Sequence, residues 1–106
     1  MLITTSETIA NHRIVKTLGL VRGNTVRARH VGKDILAGLR NIVGGEIHEY
    51  AKLIAESREQ TLDRMVAEAE QLGANAIIAT RFTTSVMMGG AAELLAVGTA
   101  VVIEPE

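Results

Sequence analysis

Residues 46–72, EIHEYAKLIAESREQTLDRMVAEAEQL, decide the fold of this chain. At about 100° per residue, Ile47, Ala51, Ile54, Leu62, Met65, Ala69 and Leu72 fall on one stripe, with Lys52, Glu56, Glu59, Asp63 and Glu70 opposite it. That pattern predicts one long amphipathic helix lying on a core. Gly44-Gly45 marks its start, and Gly73 sits where a left-handed C′ residue stops it. Arg58 falls at the centre of the apolar stripe, where a guanidinium has to reach water or pair with an acid such as Glu93. It is therefore a candidate for binding an anionic ligand or fixing an assembly.

Outside the helix the periodicity is that of strands. Leu2-Ile3-Thr4-Thr5 is a short β-prone start, and Asn11-His12 suits a turn. Residues 14–21 are apolar and β-branched, and Arg22-Gly23-Asn24 reads as a turn into residues 25–28, so a hairpin is expected. Val15, Thr17, Gly19 and Val21 would lie beneath the helix, and Ile14, Lys16, Leu18, Leu20 and Arg22 on the other face. Residues 33–42, KDILAGLRNI, space Ile35, Leu36, Leu39 and Ile42 as a short helix. Residues 76–86 form a strand with Phe82 pointing into the core, residues 87–92 a loop, and residues 93–103 a strand apolar on both faces, hence central or covered by another chain. The expected fold is α+β: one domain over residues 1–106, in two layers, with a long helix on a small antiparallel sheet and a short second helix.

Composition narrows the function. The 106 residues are 47% hydrophobic, enough for one modest core. Tyr50 and Phe82 are the only aromatics, so platforms for stacking bases are nearly absent. Eleven basic and twelve acidic side chains give a net charge of −1 and no broad field for nucleic acid or an acidic membrane. The basic run Arg22, Arg27, Arg29, His30 and Lys33 reads as a solvated strand edge. There is no cysteine, which removes disulfides, thiolate catalysis and thiolate metal sites and is compatible with a reducing cytoplasm. The N-terminus lacks the charged and apolar regions of a signal peptide, and no stretch approaches the roughly 20 apolar residues of a membrane span, so a soluble, cytoplasmic protein is expected.

Candidate chemistry is sparse. His12, His30 and His48 are scattered, and His48 has Ala51 and Lys52 where a second helical ligand would stand. A metal site would need His12 or His48 to meet Glu49 of the partner subunit. Gly44-Gly45 before a helix is the place for an anion, yet Glu46 in the first turn repels one and the Lys-Ser/Thr of a P-loop is missing. Glu56, Glu59 and Asp63 belong to the polar face, and no serine or threonine has a histidine at motif spacing.

The ordered segments GLVRG (19–23), RNIVGG (40–45), Glu49-Tyr50, GANAI (73–77) and GTAV (98–101) resemble the YbjQ family of small bacterial and archaeal proteins over nearly the whole chain. That resemblance carries a heavy-metal-binding label. It also implies a dodecin-like subunit, a helix on a small antiparallel sheet, assembled into a homopentameric ring. The chain departs from the family at Glu46-Ile47-His48, so no ligand role is carried over to that turn. The expectation is a ring-forming protein whose partner is itself, binding a metal ion or small ligand at subunit junctions, with no cofactor assigned. The alternative is an enzyme with its active site between subunits. Independently of the resemblance, residues 94–103 and the Ile14, Leu18, Leu20 face supply more apolar surface than one helix can cover, which predicts association.

Overall fold

The computed structural model describes residues 1–27, 45–86 and 92–106. Within them the chain forms β1 (Leu2–Ile3), β2 (His12–Arg27), α1 (Gly45–Gln71), β3 (Ala76–Val86) and β4 (Ala92–Pro105). The strands make one four-stranded sheet in the order β1-β3-β4-β2, with α1 packed on one side. This is the expected α+β layering. The short helix expected over residues 33–42 and most of the loop over residues 87–92 lie outside the described residues.

The sheet is mixed rather than antiparallel throughout. β4 is antiparallel to both β2 and β3, but β1 runs parallel to β3 through Leu2↔Ala76 and Ile3↔Ile77. The Leu2 N–H donates to the Asn75 carbonyl and the Thr4 N–H to the Ile77 carbonyl. Two residues are too few for an alternation that would give the strand's direction in advance. The central place expected for the last strand holds: β4 lies between β3 and β2.

The predicted hairpin at Arg22-Gly23-Asn24 does not form. β2 runs unbroken through these residues, with Arg22, Gly23 and Asn24 opposite Val97, Ala96 and Leu95. Gly23 is there for contact, not for turning. A Cβ at this position would fall 2.5 Å from the Met65 nitrogen and closer still to the Thr61 carbonyl oxygen, so the helix backbone rests directly on the strand. The expected faces of β2 also change. Register shifts between Ile14 and Lys16 and between Thr17 and Gly19 each insert a residue, and one extra residue inverts the alternation. Val21 stays beneath the helix, Leu18 joins it there, and Val15 and Thr17 are exposed.

The buried row of α1 is Ser57, Thr61, Met65 and Ala69, not the straight stripe that the periodicity picks out. Steps of four residues turn about 400°, so the row drifts about 40° around the axis at each step as the helix crosses the sheet. Near its described N-terminal half this brings Ser57 and Thr61 inward and turns Arg58 out to solvent. Leu72, at the far end of the stripe, is exposed for the same reason. Met65 and Ala69 pack on Val21, Ile77, Ala96 and Ala100, with Leu62 and Val66 at the margin. Farther up, the interface is made of hydroxyls. Thr25 Oγ1 lies 2.7 Å from Thr61 Oγ1, and both hydroxyls reach the Ser57 carbonyl, at 3.2 and 2.8 Å.

The C-terminus of α1 is as expected. Gly73 has φ +87°; its N–H donates to the Glu70 carbonyl and the Ala74 N–H to the Ala69 carbonyl. Those two bonds are a Schellman motif, closed by Ala74 packing against the core that contains Ala69. Asn75 then ties β3 to β4: its amide donates to the Ile103 carbonyl and its Oδ1 accepts from the Ile103 N–H.

Candidate functional site

α1 covers β2 and β4 far more than β3, and that offset determines which surfaces remain available. Phe82 pairs with Ala96 and so shares the helix side of the sheet, yet it is 46% exposed because the helix does not extend over it. The expectation that Phe82 fills the core is therefore corrected: its side of the sheet is right, but the layer above is missing.

On the opposite face, a small second cluster closes one end. Ile9 and Ile78 pack on Ala76, Val101 and Ile103. The N-terminal segment is tied there by a bulge in β3, where Ala79 adopts φ +53° and directs its N–H to the Ser6 carbonyl, with the Thr80 N–H reaching Thr4.

The remainder of this helix-free face is open among the described residues. Register partners on neighbouring strands project to one side, so the face can be read in rows across β3, β4 and β2. Thr83, Leu95 and Asn24 form one row, Arg81, Val97 and Arg22 the next, and Ile78, Thr99 and Leu20 the third. Leu20 is 68% exposed, Leu95, Val97 and Thr99 are half-buried, and both arginines are exposed. Arg81 is held in place by its Nη1, which donates to the Thr5 carbonyl at 2.8 Å and the Thr80 carbonyl at 2.9 Å. The surface is thus an apolar strip with Arg22 rooted on one side of it and Arg81 on the other, the Arg81 guanidinium turned toward the Thr5 carbonyl on the β1 side of the sheet.

The sequence-predicted site residues do not gather there. Arg58 is exposed on the flank of α1 that also carries Leu62 and Val66; the one ion pair among the described residues joins Arg13 to Glu104 at 3.0 Å. Arg64, on the other flank, donates to the Asn24 carbonyl at 2.6 Å. His12 opens β2 half-buried, its Nδ1 2.8 Å from the Ala10 carbonyl. His48 and Glu49 lie on the first turn of α1, where only the backbone is described, and His30 lies outside the described residues. Glu56, Glu59 and Asp63 are exposed on the polar face. No three His, Asp or Glu residues among those described are placed to hold a metal ion. No helix among them is long and apolar enough to cross a membrane.

The pairing of Arg22 with Arg81 was not legible in sequence. The two stand 59 positions apart and share a row only through the register at Val97, which lies between them.

Comparison with known proteins agrees with the architecture. A UPF0145 protein of Dehalococcoides mccartyi is 58% identical over 104 residues, covering 98% of this chain and all of the relative. One from Archaeoglobus fulgidus is 59% identical over 101 residues, covering 95% of this chain and 94% of its own. One from Methanosarcina acetivorans is 55% identical over 103 residues, covering 97% of each. The crystal structure of a DUF74-family protein of unknown function from Pediococcus pentosaceus superposes with a TM-score of 0.65 over 98% of both chains, at 18% identity, a likeness of fold alone. A family model described as "Putative heavy-metal-binding" matches residues 1–104. With that match and relatives sharing more than half their residues along nearly their full length, the chain belongs to the YbjQ family, among the UPF0145 proteins.

Proposed function

We propose that the protein is a ring-forming homo-oligomer, non-enzymatic, that holds a small ligand or metal ion where its subunits meet. The observation that carries this reading is the surface of the single chain. It exposes 7019 Å², where a compact monomer of this mass exposes about 5,700 Å². Its radius of gyration is 17.3 Å and its extents are 55 × 22 × 16 Å, against about 13 Å for a compact chain of this length. Leu20, Val26 and Phe82 lie on that excess surface with no second layer over them among the described residues. A rod one helix and one sheet thick buries such groups by associating.

The two edges of the sheet are unlike, β2 on one side and β3 with its short β1 on the other, so contacts that join one edge to the other are head-to-tail, the kind that makes a ring when the rotation between neighbours closes. The number five and the dodecin-like subunit are what the family resemblance contributes. The same junctions are where His12 or His48 would have to meet Glu49 of the partner subunit to hold a metal. The cytoplasm is the setting that suits a chain without cysteine. Neither nucleic acid nor a membrane belongs to this reading.

Light scattering after size exclusion at micromolar concentration tests it. The expected mass is five times 11.3 kDa. A monomer of 11.3 kDa overturns the reading, whereas a dimer or hexamer overturns only the count.

A further inference from the structure

We infer that a second copy of this chain joins it strand to strand, with the outer edge of β3 over residues 82–86 lying beside the outer edge of β2 in the next subunit, so that Phe82 is enclosed between two helices. This rests on the ring of the proposed function and names the surfaces that meet in it. Each outer edge of the sheet is occupied or broken at the Ala76 end and open at the Val86 end. On β3 the N-terminal segment holds the edge as far as Thr80: the Thr4 N–H donates to the Ile77 carbonyl, the Ala79 N–H to the Ser6 carbonyl and the Thr80 N–H to the Thr4 carbonyl. Beyond it, Phe82-Thr83-Thr84-Ser85-Val86 has no charge, no proline and no register shift, and so none of the usual protections against pairing. On β2 both register shifts fall between Ile14 and Gly19, and residues 20–27 run without one. Among the described residues no strand lies outside either stretch.

The two open stretches match each other. Phe82, Ala96 and Gly23 share one row and Val86, Ala92 and Arg27 another, so the stretches stand at the same level on opposite edges. β2 and β3 are both antiparallel to β4 and therefore run the same way. A rotation about an axis along the strands brings β2 of one subunit beside β3 of the next as a parallel pair, with both helices on the same side of the joined sheet. The helix layer matches as well. α1 rests on the edge strand β2 at Gly23 and, through Arg64, reaches the Asn24 carbonyl, whereas β3 is left uncovered at Phe82. Adding the next subunit's β2 therefore brings its α1 to the vacant side of Phe82. Three strand spacings, about 14 Å, separate one α1 from the next. Packed helices stand about 8–10 Å apart, so a gap of roughly 5 Å remains, and a phenyl ring rooted on β3 fills it. Leu62 and Val66 of its own helix form one wall. Arg64 of the partner subunit forms the other, where a guanidinium against an aromatic ring is favourable.

The area agrees with this arrangement. Two junctions of standard size take about 1,600 Å² from each subunit, comparable with the excess of this chain's 7019 Å² over a compact monomer. The open edge of β3 has one other use, pairing with β3 of a second copy about a twofold axis. That contact sets two uncovered Phe82 layers side by side and brings a helix to neither, so the head-to-tail junction is the one that supplies the missing layer.

The test is disulfide trapping, which a chain without cysteine permits cleanly. Thr83 and Asn24 share the row of Leu95 on the helix-free face. Within one chain they are two strand spacings, roughly 10 Å, apart, beyond the roughly 7 Å a disulfide can span, whereas at the junction they stand on adjacent strands about 4.8 Å apart. Thr83→Cys is combined in turn with Arg22→Cys, Asn24→Cys and Val26→Cys, which covers a shift of two residues either way in the parallel register. The full-length variants are oxidised mildly and run on non-reducing gels, with light scattering of the wild type alongside. At least one double variant is expected to give a ladder of covalent oligomers, and every single variant to run as a single chain. No ladder from any of the three double variants overturns the proposal, as does a covalent dimer from Thr83→Cys alone, the mark of β3 against β3. Phe82→Ser should raise the concentration at which the assembly dissociates about tenfold or more with the far-UV circular dichroism unchanged; an unchanged dissociation overturns the enclosure of Phe82. A monomeric wild type overturns the ring and this junction together, and an oligomer without ladders overturns the junction alone. A ladder that ends at a number other than the proposed one upholds the junction and overturns the count.

Discussion

Replacing Gly23 by alanine tests the packing geometry on which the fold depends. The added Cβ would meet the Thr61 carbonyl oxygen and, 2.5 Å away, the Met65 nitrogen. Both are helix backbone, so no side chain can swing aside and α1 has to rise from β2. Overpacking of this kind costs about 1–3 kcal/mol, and an immovable partner puts it at the upper end. Lifting the helix also stretches the hydrogen bond between Thr25 and Thr61, worth about 1 kcal/mol. The sum is about 3–4 kcal/mol, which for a domain of this size lowers the midpoint of thermal unfolding by more than about 12 °C. Circular-dichroism melts at one fixed protein concentration measure it, since association would otherwise shift the midpoint. Gly19→Ala is the control: Gly19 has φ +118° but open space around its missing Cβ, so only backbone strain of about 1–3 kcal/mol is expected, with no lifting of the helix. If Gly23→Ala melts within about 4 °C of wild type, near the 1 kcal/mol level, close backbone contact between α1 and β2 is refuted.

Two further substitutions address the helix. Thr61→Val keeps the shape but removes the bonds from Thr61 Oγ1 to Thr25 and to the Ser57 carbonyl, and should cost about 1 kcal/mol in urea unfolding; no change in midpoint would show that the hydroxyls make no net contribution. Arg58→Ala should leave stability within about 0.5 kcal/mol, because the side chain is exposed; a smaller oligomer by light scattering with an unchanged fold would assign Arg58 to the assembly.

Features held by local chemistry were the ones legible in sequence. The span of α1, its stop at Gly73 and the central position of β4 follow from helical periodicity, the left-handed glycine and two-sided apolarity. What escaped was whatever depends on how the layers meet. Gly23 in Arg22-Gly23-Asn24 has the composition of a turn, and only the helix resting on it reveals a strand. Ser57 and Thr61 were passed over because hydroxyls are not expected in a buried row, although they stand in steps of four with Met65 and Ala69. The bulges in β2 carry no reliable sequence mark, so the alternation of residues 14–22 assigned Val15 to the wrong environment. Of the candidate site, the individual arginines were visible but their shared row was not, since register is a property of the folded sheet.

The pairing of β2 with β4 has a consequence for how the chain is made. His12 lies opposite Pro105 and Arg27 opposite Ala92, so the longest strand waits until residues 92–105 are made before it gains its neighbour. At 5–20 residues per second, the roughly 80 residues between the end of β2 and the end of β4 take about 4–16 s to synthesise. Throughout that interval Ile14, Leu18, Leu20 and Val26 belong to a nascent strand with no sheet to join. α1 emerges in between and, through Gly23, has a surface on β2 to rest on before β4 exists. Late closure of this kind gives the chain a high contact order and slow folding, and a ribosome stalled before Ala92 holds a chain whose apolar strand is open to whatever else is near.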